Sequence, residues 1–258
     1  MNLKEIQQTA IAAAYHSGKI LYSHYGKLKN IQKKGVIDLV TEADLASEKI
    51  IKKIIQNRFP DHGFIAEESG LTNTESPYKW IIDPLDGTTN YAHQIPLFAV
   101  SIAFAEAGTP LVGVVFNPIS QELFTAIKGH GARCNGRKIF VSKTNKISES
   151  ILVTGFPYNL REVIKPLIKR FSQCLETAQA VRRLGAAAID LCYIASGKFD
   201  GFWEQNLKPW DTAAGMLIAQ EAGAHITNYS NEQYHYEMPE IVATNSFIHN
   251  DLIDCLTI

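Results

Sequence analysis

Cysteine is scarce in this chain and scattered. Cys134, Cys174, Cys192 and Cys255 form no C-x-x-C pair, which argues against a zinc module and a disulfide framework and points to a reducing compartment. Charge of one sign is not in excess. With 25 basic and 26 acidic residues, net charge gives no reason to expect nucleic-acid or membrane binding, although a local basic patch stays open. No apolar run approaches the ~20 residues that span a bilayer. The opening Met1-Asn2-Leu3-Lys4-Glu5-Ile6 enters an amphipathic pattern directly and lacks the apolar centre of a signal peptide. Repeats and low-complexity tracts are also missing. What remains is a chain of 258 residues, long enough for a sizeable core in one large domain or two small ones. The expected location is the cytoplasm.

Hydrophobic periodicity gives the organisation. Leu3, Ile6, Ala10, Ala13, Ser17, Ile20 and Leu21 recur at helical spacing. A polar turn is expected from Lys29 to Gly35. Thr41 is placed to cap a second helix, with Leu45, Ile50, Ile51, Ile54 and Ile55 on its apolar face and Pro60 closing it. Gly63-Phe64-Ile65-Ala66 reads as a short strand ending at Glu67-Glu68. From Pro96 to about Gly136 the pattern is β, with turns at Gly108, Asn117-Pro118 and Asn135-Gly136. Polar residues 142–150 mark a boundary, so that 1–145 and 146–258 form two halves. In the second half, strands at Ile151–Thr154, Phe199–Glu204 and Ile241–Ala243 alternate with helices at Leu160–Thr177, Ala186–Ser196 and Asp211–Ala222, and a terminal helix follows. Such alternation predicts α/β or α+β layers.

The most informative stretch is Trp80-Ile81-Ile82-Asp83-Pro84-Leu85-Asp86-Gly87-Thr88-Thr89-Asn90. Ile81 and Ile82 read as a buried strand, and it ends in two carboxylates separated by Pro84-Leu85. Strand ends are where α/β proteins place ligand sites. Pro84 stiffens the turn and Gly87 permits close backbone approach. Two acids held this way repel each other unless a cation lies between them, and a hard metal such as Mg²⁺ prefers oxygen. Asp44, Glu67-Glu68 and Asp211 offer further carboxylates near element ends. Each has an ordinary reading: a first-turn acid on a helix dipole for Asp44, a solvated loop for Glu67-Glu68, an N-cap for Asp211. Together, with no Cys/His cluster, they suit Mg²⁺ and not zinc. A helical turn beginning at Gly87-Thr88 would aim free N–H groups at phosphate. Haloacid-dehalogenase phosphatases place their two acids two positions apart, so the spacing here argues against a covalent aspartyl phosphate.

These residues resemble the inositol monophosphatase family. The stretch from Trp80 to Asn90 matches the first signature, and Trp210-Asp211-Thr212-Ala213-Ala214-Gly215 matches the second. Glu67-Glu68-Ser69 and Asp38-Leu39-Val40-Thr41-Glu42-Ala43-Asp44 match the two acidic segments upstream. Arg182 to Gly215 resembles the bacterial branch.

The resemblance implies a layered α-β-α-β-α sandwich with two sheets, in which the two halves form one compact unit. It implies a Mg²⁺-dependent phosphate monoester hydrolase with two to three ions, most simply acting on inositol 1-phosphate. Glu67, Asp83 and the Leu85 carbonyl would hold the first ion. Asp83, Asp86 and Asp211 would hold the second, and Glu68 a third through water. Thr88 and Asp44, with Glu67, would activate the attacking water, and the N–H groups of Gly87 and Thr88 would receive the phosphate. Asp86, Gly185, Ala186, Ala187, Glu204 and Asp211 would meet the sugar, with Lys33 or Lys34 beside them. His93 reads as structural, and Arg182-Arg183 as surface or interface. A homodimer and lithium sensitivity are implied as well. The alternatives are fructose 1,6-bisphosphate, 3′-phosphoadenosine or histidinol phosphate as substrate. A non-catalytic partnership with the transcription machinery in antitermination, through Arg182-Arg183 and the basic residues between Lys27 and Lys34, belongs to a different class.

Overall fold

The computed structural model describes residues 2–27, 31–33, 39–157 and 160–257. Lys34 and Asp38 lie outside them, as does the side chain of Lys33. The first half begins with helix α1 (Leu3–His24), capped by Asn2. Where a polar turn is expected after it, β1 (Ile31–Lys33) instead pairs antiparallel with β2 (Leu39–Thr41). Helix α2 (Glu42–Arg58) follows with a capping box: Thr41 and Asp44 satisfy each other's backbone N–H groups, an arrangement contributing ~1 kcal/mol.

The next strands are β3 (Gly63–Ala66), β4 (Gly70–Thr72) and β5 (Tyr78–Asp86). A short helix α3 (Thr88–Ala92) leads to β6 (Ala99–Glu106), β7 (Thr109–Asn117), β8 (Glu122–Ile127), β9 (Ala132–Cys134) and β10 (Arg137–Lys138). Strands β3 to β10 form one eight-stranded sheet in the order β10-β9-β8-β7-β6-β5-β3-β4. Its pairs are antiparallel except β3 with β5. The second half contains β11 (Ile151–Thr154), α4 (Leu160–Thr177), β12 (Ala180–Arg182), α5 (Ala187–Ala195), β13 (Gly201–Gln205), α6 (Pro209–Glu221), β14 (His225–Thr227), β15 (Glu240–Thr244) and α7 (His249–Leu256). Its sheet has five strands in the order β12-β11-β13-β15-β14. Polar residues 142–150 connect the two sheets.

The layers run α1/α2, large sheet, α5/α6, small sheet, α4/α7, the α-β-α-β-α sandwich. Alternation along the strands divides the large sheet into two unlike faces. Trp80, Ile82, Ile102, Phe104, Val112, Val114 and Phe116 pack under α1 and α2. The opposite face presents Ala99, Ala103, Ala105, Ala126 and Ala132 to α5 and α6. Small residues let α6 approach the strands closely: a Cβ on Gly113 would stand 2.7 Å from the Ala214 carbonyl oxygen. Helix α2 departs from the expected apolar face. Leu45 is exposed, while Ser47, Glu48 and Asp44 are buried with Ala43, Ile51 and Ile55. No described helix is long and apolar enough to cross a membrane.

Candidate active site

The two signature carboxylates do not follow a strand; they sit inside it. Strand β5 runs through Asp86, and its register against β6 slips between Asp83 and Asp86: Asp83 faces Ser101 and Asp86 faces Ala99. One extra residue on β5 makes a bulge, and Pro84, with no N–H to give a ladder, fits within it. The bulge decides the chemistry. Residues an odd number apart on a regular strand point to opposite faces. One inserted residue reverses the phase, so Ile81 faces inward and Leu85 outward while Asp83 and Asp86 both line the cavity between the sheets.

Other elements bring the remaining acids to this point. Glu67 leaves β3 with its N–H still donated to the Ile82 carbonyl at 3.1 Å. Asp211 is the third residue of α6, not its N-cap, and its carboxylate accepts the Lys208 N–H at 2.7 Å. Asp44 holds the same position in α2, where one oxygen accepts the Thr41 N–H at 2.8 Å and the Thr41 hydroxyl at 2.6 Å. Its other oxygen is 3.3 Å from the Thr88 hydroxyl, which also lies 3.0 Å from the Leu85 carbonyl.

Burial and mutual repulsion dominate the electrostatics. Asp83 is 3% exposed and Asp86 8%. Burial first, then Glu67, Asp86 and Asp211, push the Asp83 carboxyl well above the usual range, against the Leu85 N–H that it accepts at 2.9 Å. Burial and Asp211 do the same to Asp86, opposed by the Ala188 N–H at 2.8 Å. Glu204, at the end of β13, is raised to about 8, chiefly by burial and then by Asp211, with Arg183 opposing. Asp190 on α5 is buried with both oxygens lacking a hydrogen-bond partner, and burial followed by Glu204 and Asp86 raises it strongly. Among the described residues no three His, Cys, Asp or Glu side chains already enclose a point where an ion would rest. Glu67, Asp83 and Asp86 come from the large sheet and Asp211 from α6, and all four line the same cavity.

The cavity measures about 520 Å³ and is lined by Glu67, Asp83, Leu85, Asp86, Gly87, Thr88, Gly185, Ala186, Ala187, Glu204 and Asp211 among others. Asp44 stands behind Thr88, and Glu68 lies beside the cavity and not in its lining. His93 is exposed. Gly87 adopts φ +89°, and a Cβ there would meet the Leu97 carbonyl at 3.0 Å and Ala186 at 3.2 Å, so the approach of the two halves requires glycine. A Cβ on Gly155 would overlap the Glu204 carboxylate.

Four residues escape the sequence reading. Arg183, expected at the surface or an interface, is exposed as read and also lines the cavity mouth. Its position follows from Gly185, whose φ of +88° folds the chain back beside it. Asn90 bridges the halves, donating to the Leu97 carbonyl at 2.7 Å and the Leu184 carbonyl at 2.8 Å. Ser47 donates to the Pro84 carbonyl at 2.8 Å, and Glu48 accepts the Glu68 N–H at 2.9 Å. Asn90 is part of the first signature, and a buried polar pair after Asp44 is the signal for Ser47 and Glu48. Arg183 has no signal in one dimension.

A model of the inositol monophosphatase family matches residues 2–256. The chain belongs to the inositol monophosphatase family. It is 45% identical over 254 residues to the inositol-1-monophosphatase of Synechocystis, covering 98% of this chain and 88% of that protein. It is 39% identical to the Nus factor SuhB of Haemophilus influenzae, covering 95% and 93% of the two chains. The crystal structure of the extragenic suppressor protein SuhB from Bartonella henselae superimposes with a TM-score of 0.94 at 38% identity, covering 98% of each chain. As a member of the family the protein is a phosphatase.

Proposed function

We propose that the protein is a Mg²⁺-dependent phosphate monoester hydrolase whose substrate is inositol 1-phosphate or a closely related sugar phosphate. One observation carries the reading. Glu67, Asp83, Asp86 and Asp211 line one buried cavity, and burial with the neighbouring acids raises the proton affinity of Asp83 and Asp86, so the site is short of positive charge. An all-oxygen donor set of this kind fits a hard divalent cation. Glu67, Asp83 and the Leu85 carbonyl are assigned to one ion, Asp83, Asp86 and Asp211 to a second, and Glu68 to a third through water. When bound, Mg²⁺ supplies Lewis-acid charge at the phosphoryl oxygens and lowers the pKa of the attacking water.

The chain's own groups supply positioning and proton transfer. Thr88 would orient the attacking water and relay its proton, taking one from the water as it gives its own hydroxyl proton to Asp44. Two donors from Thr41 hold one Asp44 oxygen, and the other lies 3.3 Å from the Thr88 hydroxyl, within reach of the proton. The N–H groups of Gly87 and Thr88 receive phosphate oxygens, and Glu204 with the Gly185–Ala187 segment meets the ring hydroxyls. The spacing of Asp83 and Asp86, with Pro84-Leu85 between them, argues against a phosphoenzyme.

The test is phosphate release from inositol 1-phosphate, fructose 1,6-bisphosphate, 3′-phosphoadenosine 5′-phosphate and histidinol phosphate, with Mg²⁺, with chelator, and with Li⁺ added. Release from inositol 1-phosphate that chelator abolishes is expected. No release from any substrate overturns the hydrolase reading, and release that survives chelation overturns the metal. A second reading draws on the relatives named Nus factor SuhB: a homodimer that also joins the transcription machinery through exposed Arg182 and Lys27. Binding of purified Asp83→Asn protein to a reconstituted antitermination complex supports it, and no binding counts against it.

A further inference from the structure

Glu48 is 4% exposed, carries a carboxylate, and lies one turn beyond Asp44 on α2. Burying another acid beside an acidic cavity is costly unless it does something no apolar residue can. Its carboxylate is bonded to a backbone group: Glu48 Oε2 accepts the Glu68 N–H at 2.9 Å. The chain around that N–H is held residue by residue. Glu67 still donates its N–H to the β5 carbonyl of Ile82 at 3.1 Å. Glu68 has left the ladder and donates to Glu48. The Ser69 hydroxyl accepts from Lys52, one turn further along α2, at 2.7 Å.

The other acidic turn hangs from the same helix. Pro84 sits in the β5 bulge, and its carbonyl accepts the Ser47 hydroxyl at 2.8 Å. Ser47 is fixed in turn by Ser17 of α1 at 2.5 Å. Since Ser47 gives its proton to Pro84, Ser17 is the donor in that pair. Adjacent residues of one helix, Ser47 and Glu48, therefore grip the two turns that carry Asp83/Asp86 and Glu67. A rigid helix bonded to both sets the distance between them.

We infer that Glu48 is a positioning residue: by accepting the Glu68 N–H it fixes the Glu67–Glu68 turn against the Asp83–Asp86 bulge, so that Glu67 reaches the same ion as Asp83. The inference rests on the reading of Glu67 and Asp83 as metal ligands. What the position needs is an acceptor at the right reach; charge is secondary. Partners of this kind orient metal ligands, and their loss costs about 10–100-fold in metal affinity or activity.

Three variants separate reach from charge. Glu48→Gln keeps the acceptor and removes the charge. Glu48→Asp keeps the charge and retracts the acceptor by one methylene. Glu48→Ala removes both. Two measurements use the full chain, each with a thermal melt: amide hydrogen exchange of the Gly63–Thr72 segment in metal-free protein, and titration with Mn²⁺ alone. Glu48→Asp and Glu48→Ala are expected to exchange faster at Glu67–Ser69 and to bind Mn²⁺ about 10–100-fold more weakly, while Glu48→Gln stays within about threefold of wild type on both. Unchanged exchange in Glu48→Asp overturns the inference. So does damage in Glu48→Gln equal to that in Glu48→Ala. Wild type that binds no Mn²⁺, with exchange still following the expected order, sinks the metal reading and leaves the positioning of the turn supported.

Discussion

On one side of the cavity, Glu67, Asp83 and Asp86 hang from neighbouring strands of the large sheet, braced from behind by polar residues of α2. On the other, Gly185, Ala186 and Ala187 lead into α5, Glu204 ends β13, and Asp211 opens α6. The first wall concentrates negative charge in a buried place. The second answers it with backbone N–H groups, of which Ala188 to Asp86 is the plainest. A helix N-terminus carries partial positive charge, so the second half offsets part of the repulsion that the first half creates. Glu204 and Asp211 are the exceptions, acids on the donor side, and Asp211 helps to raise both Asp86 and Glu204.

The sharpest way to break this comparison is to remove the acid at the centre of the first wall. Asp83→Asn is expected to lower turnover on the order of 10³-fold or more, because it removes the oxygen assigned to both ions. The same change deletes a buried carboxylate that three other acids repel. The metal-free variant is therefore expected to melt at a higher temperature than metal-free wild type. Near-normal kinetics in the folded variant would defeat the mechanism, and a lower melting temperature would defeat the electrostatic account.

Acid should strain the two halves in opposite directions. Behind the second wall, His249 is buried between Thr227 and Thr244, whose hydroxyls lie 3.0 and 2.9 Å from its ring nitrogens. Burial, and then His225, lower its pKa to about 4. The unfolded chain takes up this proton near 6.5 and the folded chain resists it. The contribution is therefore whole above pH 6.5 and is lost as pH falls toward 4, by about 3 kcal/mol at most. Asp83 and Asp86 have raised folded pKa values, so metal-free protein gains stability from them as pH falls. Denaturant melts of metal-free protein from pH 7 to pH 4.5 test the sign. His249→Gln should lose less stability on acidification than wild type, and parallel curves would remove His249 from the account.

How far the sequence carries depends on which kind of pattern holds a residue in place. The long helices and the central strands follow apolar periods, and Thr41 caps α2 as its type predicts. Edge strands β4, β12 and β14 are only three residues each, too short for a period to register. The acid pair is legible as a motif, whereas its presence inside β5 is not, because a bulge is defined by pairing with β6. Helix α2 misleads for a related reason. Its buried face is chosen by what must be gripped, so Ser47 and Glu48 are inside while Leu45 is out. Arg183 is a surface charge as read, but nothing local foretells that it also lines the cavity.

The finest comparison lies within the second wall, between Glu204 as an acid and as a carboxylate. Its carboxyl rests against the Cα of Gly155, where no side chain would fit, and titrates at about 8, raised by burial and then by Asp211. Near pH 7 it is largely a neutral acid, with one donor and acceptor capacity like that of an amide. Glu204→Gln should therefore leave kcat and KM close to wild type at pH 7. Above pH 8 the wild-type group becomes a carboxylate and accepts ring hydroxyls more strongly, so its KM should fall while that of the variant stays flat. The gap expected at pH 9 is about tenfold, or ~1.4 kcal/mol. The titration of kcat belongs to the first wall and should be shared by both proteins. Parallel KM profiles for the two proteins across pH 6.5 to 9 would show that Glu204 does not meet the substrate, and would leave ring recognition to the Gly185–Ala187 segment.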